Sequence, residues 1–253
     1  MPDYQIDKIA LHKAIAALVD EAQKIDDYDI QYSTDVEALE TAALELGGKG
    51  TGENFRRAVD TLPPNRVFWL GAYRSGEIVG TVAARCDESS WTLQKFIQEY
   101  WERAFDGSEP GKRVKIAEGS PVDAQRYQGR YAYLGEGLVR PDCRDNNLSY
   151  VLVRLALLLA FDEWRPCVAY GWMRDWHAYR GLATRWGFNG CHCSAFDWII
   201  EPKETDWRNL AFLTCDEQGF RKLVRQPVPD ALFDARKNNQ KGNGLRPSSE
   251  PAK

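Results

Sequence analysis

From Gly137 to Ser149 the chain reads Gly-Leu-Val-Arg-Pro-Asp-Cys-Arg-Asp-Asn-Asn-Leu-Ser, and the apolar run Val151 to Ala160 follows at once. A strand that delivers the chain to a turn ahead of a helix leaves the first backbone N–H groups of that helix unpaired, at the positive end of its dipole. Such a site favours a phosphate. Arg144 adds a fixed positive charge, and Asn146, Asn147 and Ser149 either cap the helix or donate to phosphate oxygens. Just upstream, Glu136 sits between Gly135 and Gly137. Strand alternation puts it on the face of Leu134 and Leu138, with the glycines leaving space on the other side. Burial there would raise its pKa toward neutrality; the other role open to it is an ion pair with an arginine at the sheet surface.

Other chemistries are less well served. Cys86, Cys143, Cys167, Cys191, Cys193 and Cys215 show no disulfide-framework spacing, so free thiols are expected. Cys191-His192-Cys193 lacks the two-residue gap of common zinc knuckles and has no second cluster to complete it, so no metal is expected. The formal charge is -4, and residues 236–253 carry a net +4, which leaves the body at -8. An acidic body disfavours phosphate-backbone binding and suits a small cationic substrate, so no nucleic-acid partner is expected.

The elements that must position these residues follow from periodicity. Leu11, Ile15, Leu18, Val19 and Ala22 recur at helical spacing behind a short strand or coil, and Asp35 to Leu46 repeats the helical pattern before Gly47-Gly48. A short helix is expected near 54–59. Arg66 to Tyr73 and Glu77 to Cys86 read as a hairpin turning at Arg74-Ser75-Gly76. Trp91 to Phe105 reads as a helix, and Asp106 to Gln125 as an irregular excursion. Next come a strand at Arg130 to Arg140, a helix at Asn147 to Trp164, a strand at Val168 to Met173 and a helix at Trp176 to Trp186. Strands at Cys191 to Ile200 and Asn209 to Cys215 and a helix at Asp216 to Val224 complete the pattern. One mixed α/β domain over residues 1–235 is expected, with N-terminal helices in 1–60, an insertion at 87–129 and a disordered polar tail at 236–253. The longest apolar run, Leu155 to Phe161, is too short for a membrane span, and the N-terminus shows no secretory signal; a cytoplasmic protein with no membrane partner is the expectation.

The strand, turn and helix at 137–160 resemble the acyl-CoA-binding motif of the GCN5-related N-acetyltransferases, the GNAT superfamily. Arg180-Gly-Leu-Ala-Thr-Arg-Trp-Gly-Phe188 resembles that family's later helix closing on Gly-Phe. The resemblance spans roughly residues 66–215. It implies a mostly antiparallel twisted sheet with helices on both faces, and acetyl-CoA or another acyl-CoA as co-substrate. It further implies transfer to a primary amine of a small molecule or peptide. Leu138, Val139 and Arg140 would bond the pantetheine arm through their backbone, and Arg144, Asp145, Asn146, Asn147, Leu148 and Ser149 would hold the pyrophosphate. An attacking ammonium must lose a proton, because an amine of pKa near 10.4 is only about 0.04% neutral at pH 7. Glu136, on the strand where family members often carry a glutamate, is the implied base.

This chain departs from the pattern at three positions. Asn147 and Ser149 stand where the family has glycine or alanine, and Ala183 where it commonly has the tyrosine that protonates the leaving thiolate. Tyr179, one turn before Ala183, is the candidate replacement, with a packing role as the other possibility. Trp172, Trp176 and Trp186 flank the expected acceptor groove; Trp172 and Trp176 are the candidate substrate contacts, with core filling as the alternative. The second functional reading is a GNAT-like binding module that has lost catalysis.

Overall fold

The computed structural model describes residues 6–56, 62–105, 114–202 and 208–228. The tail at 236–253, part of the helix expected near 54–59 and the first part of the 106–125 excursion, residues 106–113, lie outside the described residues.

Helix α1 (Lys8–Asp26) starts at Asp7, whose carboxylate accepts from Ile9 N, and α2 (Val36–Gly47) starts at Asp35 in the same way. Between them lies a strand that periodicity did not flag, β1 (Asp29–Ser33), whose polar outer face hides its alternation. The hairpin is present as β2 (Val67–Arg74) and β3 (Glu77–Thr92), with Ser75 and Gly76 both at positive φ in the turn.

β3 runs beyond Cys86, and its end pairs with β5 (Gln128–Val139), Asp87 against Tyr131 and Thr92 against Gln128. The ends of the 87–129 segment therefore belong to these two strands, and residues 93–127 connect them. This connection includes α3 (Leu93–Phe105), the two-residue strand β4 (Lys115–Ile116) and a 3₁₀ turn at Val122–Arg126. From β5 the chain passes through a 3₁₀ turn (Pro141–Asn146) into α4 (Leu148–Trp164), then β6 (Val168–Arg174).

Two expected elements are split. The helix over 176–186 is α5 (Asp175–Tyr179) and α6 (Leu182–Trp186), broken at Gly181 with φ 75°. The strand over 191–200 is β7 (Gly190–His192) and β8 (Trp198–Ile200), which belong to different sheets. Asp175 separates them by accepting from both N and Oγ of Ser194 at 2.9 and 2.7 Å. The described chain closes with β9 (Leu210–Cys215) and α7 (Glu217–Arg225).

The main sheet has the order β1-β2-β3-β5-β6-β9-β7, with β5–β6 its one parallel neighbour pair; β4 and β8 form a separate ribbon. Helices α1, α4 and α7 cover one face, where α4 is apolar around nearly its whole circumference and buried accordingly. Helices α2 and α3 and the β4–β8 ribbon cover the other, over an aromatic core that includes Trp69, Trp101, Tyr131, Tyr133, Tyr170 and Phe212. Alternation along β5 sends Tyr131 and Tyr133 into this second core and Ala132 and Leu134 into the first. The result is a mostly antiparallel α/β sheet with helices on both faces. Among the described residues no helix is long and apolar enough to cross a membrane.

A charge is buried in the aromatic core. Arg85, 1% exposed, meets Asp87 through Nε at 2.9 Å and Nη2 at 2.6 Å, and also donates to Asn54 O and to the Tyr100 hydroxyl. Arg66 pairs with the same carboxylate. This network ties the loop after α2 to the sheet. Replacing Asp87 with alanine leaves a buried guanidinium short of its counter-charge, and urea unfolding should show a loss of about 3–5 kcal/mol.

Candidate functional site

The site begins where two strands part company. β5 and β6 are paired from Tyr131–Val168 to Leu134–Gly171, and no further. Beyond that point β5 stays with β3 as far as Val139, while β6 stays with β9 as far as Arg174. Gly171 makes the last close pair possible: a Cβ there would lie 2.9 Å from Leu134 O. The gap that opens is a cleft of about 170 Å³, and the residues lining it come from both cores. Leu134, Val153, Phe188 and Trp186 belong to the α4 side, Tyr133 and Trp172 to the aromatic side.

Glu136 stands in this cleft. Opposite it the register slips: Ala83 pairs with Gly135 but Thr81 with Leu138, so Glu136 and Gly137 face the single residue Val82. The bulge holds Glu136 at φ 52°, a conformation rare for a side chain of that kind, and Thr81 Oγ1 donates to its carbonyl at 2.9 Å. The extra residue reverses the expected alternation. Leu134 packs in the α4-side core, whereas the Glu136 carboxylate accepts from Gly52 N at 2.9 Å, in the loop that carries Phe55 into the aromatic core.

Glu136 thus lies on the face opposite Leu134. Burial pushes its pKa up to about 7; the Gly52 bond and Arg56 act against this, and Glu53 reinforces it. Tyr133, which sequence reasoning passed over, shares this face, and burial holds its phenol well above the usual range.

At the far end of β5 lies the turn. Asn147 adopts the left-handed conformation, φ 61° and ψ 12°, the geometry for which the family pattern has glycine. Its side chain does not cap α4; its Oδ1 accepts from Arg185 Nη2 at 2.9 Å. Arg144 donates through Nε to Val139 O at 3.1 Å and is exposed. Two guanidiniums therefore flank an uncapped helix N-terminus. Arg185 lies inside the second motif but is not among the residues the sequence points to at this turn. Ser149 is half-buried in the first turn of α4, behind the buried Leu148, and Asp145 lies in the 3₁₀ turn.

Asn146 is turned away from this N-terminus, its Nδ2 3.4 Å from both Asp26 Oδ2 and the Tyr28 hydroxyl. Leu138 approaches Gly47 at the end of α2, and Val139 packs on the α4-side core. The Arg140 side chain is engaged at the surface by Glu77 and Asp142 at 3.0 and 2.8 Å, while its N–H donates to Val79 O.

Of the remaining candidates Tyr179 and Trp176 are not brought to the cleft. Tyr179 is 74% exposed on α5 and beside Cys193, because the break at Gly181 removes the continuous helix that would have aligned it with Ala183. Trp176 is 46% exposed, stacked on His177 and covered by Arg180. Trp172 does line the cleft, edge-on to Trp101 and against Phe196 and Phe212. In the Cys-His-Cys segment, His192 Nδ1 meets Asp123 at 2.8 Å. No group of three metal-capable side chains converges among the described residues.

No family model and no curated protein sequence matches this chain. Among solved structures, an agmatine N-acetyltransferase in its apo form superposes with a TM-score of 0.50 over 75% of this chain and all of its own, at 16% identity. The chain has the GNAT fold. Other structures superpose less closely. An N-acyl amino acid synthase from uncultured soil microbes does so at a TM-score of 0.43 and 12% identity, over 80% of this chain and 98% of its own. The Escherichia coli ribosomal-protein-S18-alanine N-acetyltransferase does so at 0.39 and 13%, over 74% and 91%.

The Glu136 pKa has a direct consequence for stability. Its native value of about 7 exceeds the ordinary 4.5, so the folded state holds this proton more tightly than the unfolded chain. The wild type therefore loses stability as pH rises through about 7. Glu136→Gln should be more stable than wild type by up to about 3 kcal/mol near pH 8. The gap should close below about pH 4.5, and denaturant melts across this range will measure it.

Proposed function

We propose that this protein is an acyl-CoA-dependent N-acyltransferase, transferring an acyl group, acetyl foremost, to a primary amine by direct attack. The observation that carries this reading is the cleft between β5 and β6. It holds a carboxyl whose pKa burial pushes up to about 7, on the strand that runs on from the cleft to an anion-favouring turn.

The residues fit an acyl-CoA. The uncapped N-terminus of α4 with Arg144 and Arg185 suits a pyrophosphate, and the left-handed Asn147 supplies the turn that glycine provides elsewhere. The free edge of β5 past Leu134, no longer bonded to β6, offers backbone groups to the amide-bearing arm between phosphate and thioester. The acyl carbonyl then comes to the cleft. On the other face, Glu136 takes a proton from the incoming ammonium, directly or through water, and a base titrating near 7 is matched to that task at neutral pH. Trp172 and Tyr133 wall the acceptor side. The agmatine N-acetyltransferase of the same fold is named for a small amine, which is the acceptor class we favour here.

Two experiments test this. Acetyl-CoA at about a hundredfold excess over its Kd should stabilise the protein by about 2.7 kcal/mol in a thermal-shift assay, and Arg144→Glu combined with Arg185→Glu should abolish the shift. No shift with acetyl-CoA or longer acyl-CoAs, in folded wild-type protein, overturns the reading in favour of a binding module. With an amine that turns over, kcat/KM should rise with pH to a plateau with its midpoint near 7, where Glu136 loses its proton. Glu136→Gln should lower that plateau on the order of 100-fold or more.

A further inference from the structure

Ala183, at the family's tyrosine position, is 2% exposed on α6, and the cleft's lining includes no other side chain from α5 or α6 than Trp186. Trp186 lies three residues after Ala183, on the same face of that helix. It packs on the α4-side core and lines the cleft beside Phe188 and Leu213. Its Nε1 is buried, with no hydrogen-bond partner among the described residues.

An indole nitrogen is a donor only, and a buried donor left unmade costs on the order of 1–3 kcal/mol. Such a group calls for an explanation, and its surroundings supply one. The other residues that line the cleft from this side, Leu134, Val153, Phe188 and Leu213 among them, are apolar. The neighbouring residue, Arg185, reaches Asn147 at the phosphate turn. Trp186 is thus the one polar side chain that lines the cleft from the α4 face.

Resting on the acyltransferase reading above, we infer that Trp186 Nε1–H donates a hydrogen bond to the departing sulfur of the acyl thioester. It stabilises that sulfur as a thiolate in place of the missing acid. The bonds balance without a proton from the indole. The amine nitrogen forms its bond to the acyl carbon as the carbon–sulfur bond breaks, and the electron pair stays on sulfur. Glu136 passes the ammonium proton to solvent, and the proton lost by the nitrogen on amide formation reaches the thiolate through water. An indole N–H does not ionise in the working range of pH, so it stabilises negative charge without spending an acid group.

The test uses the full chain with free coenzyme A. Thiolate absorbance against pH reports the pKa of the bound thiol, which should fall below that of coenzyme A in solution by enough to give about tenfold more thiolate. Trp186→Phe keeps a ring in place, should retain the acetyl-CoA thermal shift, and should return the bound thiol to its solution behaviour. It should also lower kcat about tenfold with little change in KM. Tyr133 and Glu136, the other titratable groups at the cleft, are common to both proteins and cancel in the comparison. A bound thiol that titrates in wild type as it does in solution overturns the inference whether or not the variant folds. Failure of wild type to bind coenzyme A or acetyl-CoA at all overturns the acyltransferase reading itself.

Discussion

The parting of β5 from β6 after Leu134 and Gly171 is the constraint on which the rest of this structure depends. A parallel pair in the middle of a sheet normally stays paired, because unmade backbone hydrogen bonds in an interior are costly. Here each strand keeps a partner on its outer side, β3 for β5 and β9 for β6, so the two separate without either losing its whole ladder. The cleft so formed passes between the two cores and brings together groups from elements far apart in the chain. Without the divergence, Glu136 and Trp186 would be on opposite sides of a continuous wall.

Among the described residues six side-chain-bearing positions hold positive φ, and two of them, Glu136 and Asn147, are at the site. Glu136 at φ 52° is a bulge that turns a carboxylate toward the aromatic face, and Asn147 at φ 61° closes the turn before α4. Left-handed backbone at a residue other than glycine costs on the order of 1–2 kcal/mol and persists only where the surroundings hold it. The surroundings are visible in each case: Thr81 and Gly52 bond Glu136, and Arg185 bonds Asn147. The same contacts that stabilise these conformations also set the burial of the carboxyl and the charge beside the turn.

The buried Arg85 extends this dependence to the loop after α2. Its bond to Asn54 O, with the Tyr100 hydroxyl on Glu53 O, holds the segment that presents Gly52 N to Glu136. A charge in the aromatic core, a loop between helix and sheet and a carboxyl of shifted pKa therefore form one connected network. Helix α3 contributes Tyr100 to it, so α3 helps hold that loop as well as covering the aromatic face.

What lay within a few residues was determined by the sequence alone. The hairpin at 74–76, the strand-turn-helix at 137–149 and the tolerance of Asn147 for a left-handed turn all follow from turn chemistry and local periodicity, which act between near neighbours. Tertiary structure decided the rest. The face of Glu136 depends on a register slip against β3, some 55 residues away at Thr81. Arg185 joins the turn across 38 residues, and β7 and β8 part because Asp175 claims Ser194. Tyr179 leaves the site because one glycine, Gly181, ends α5 in a left-handed turn that the surrounding periodicity conceals. Pairing and bulges between distant segments are set by which surfaces meet, and no local pattern of residue types carries that information.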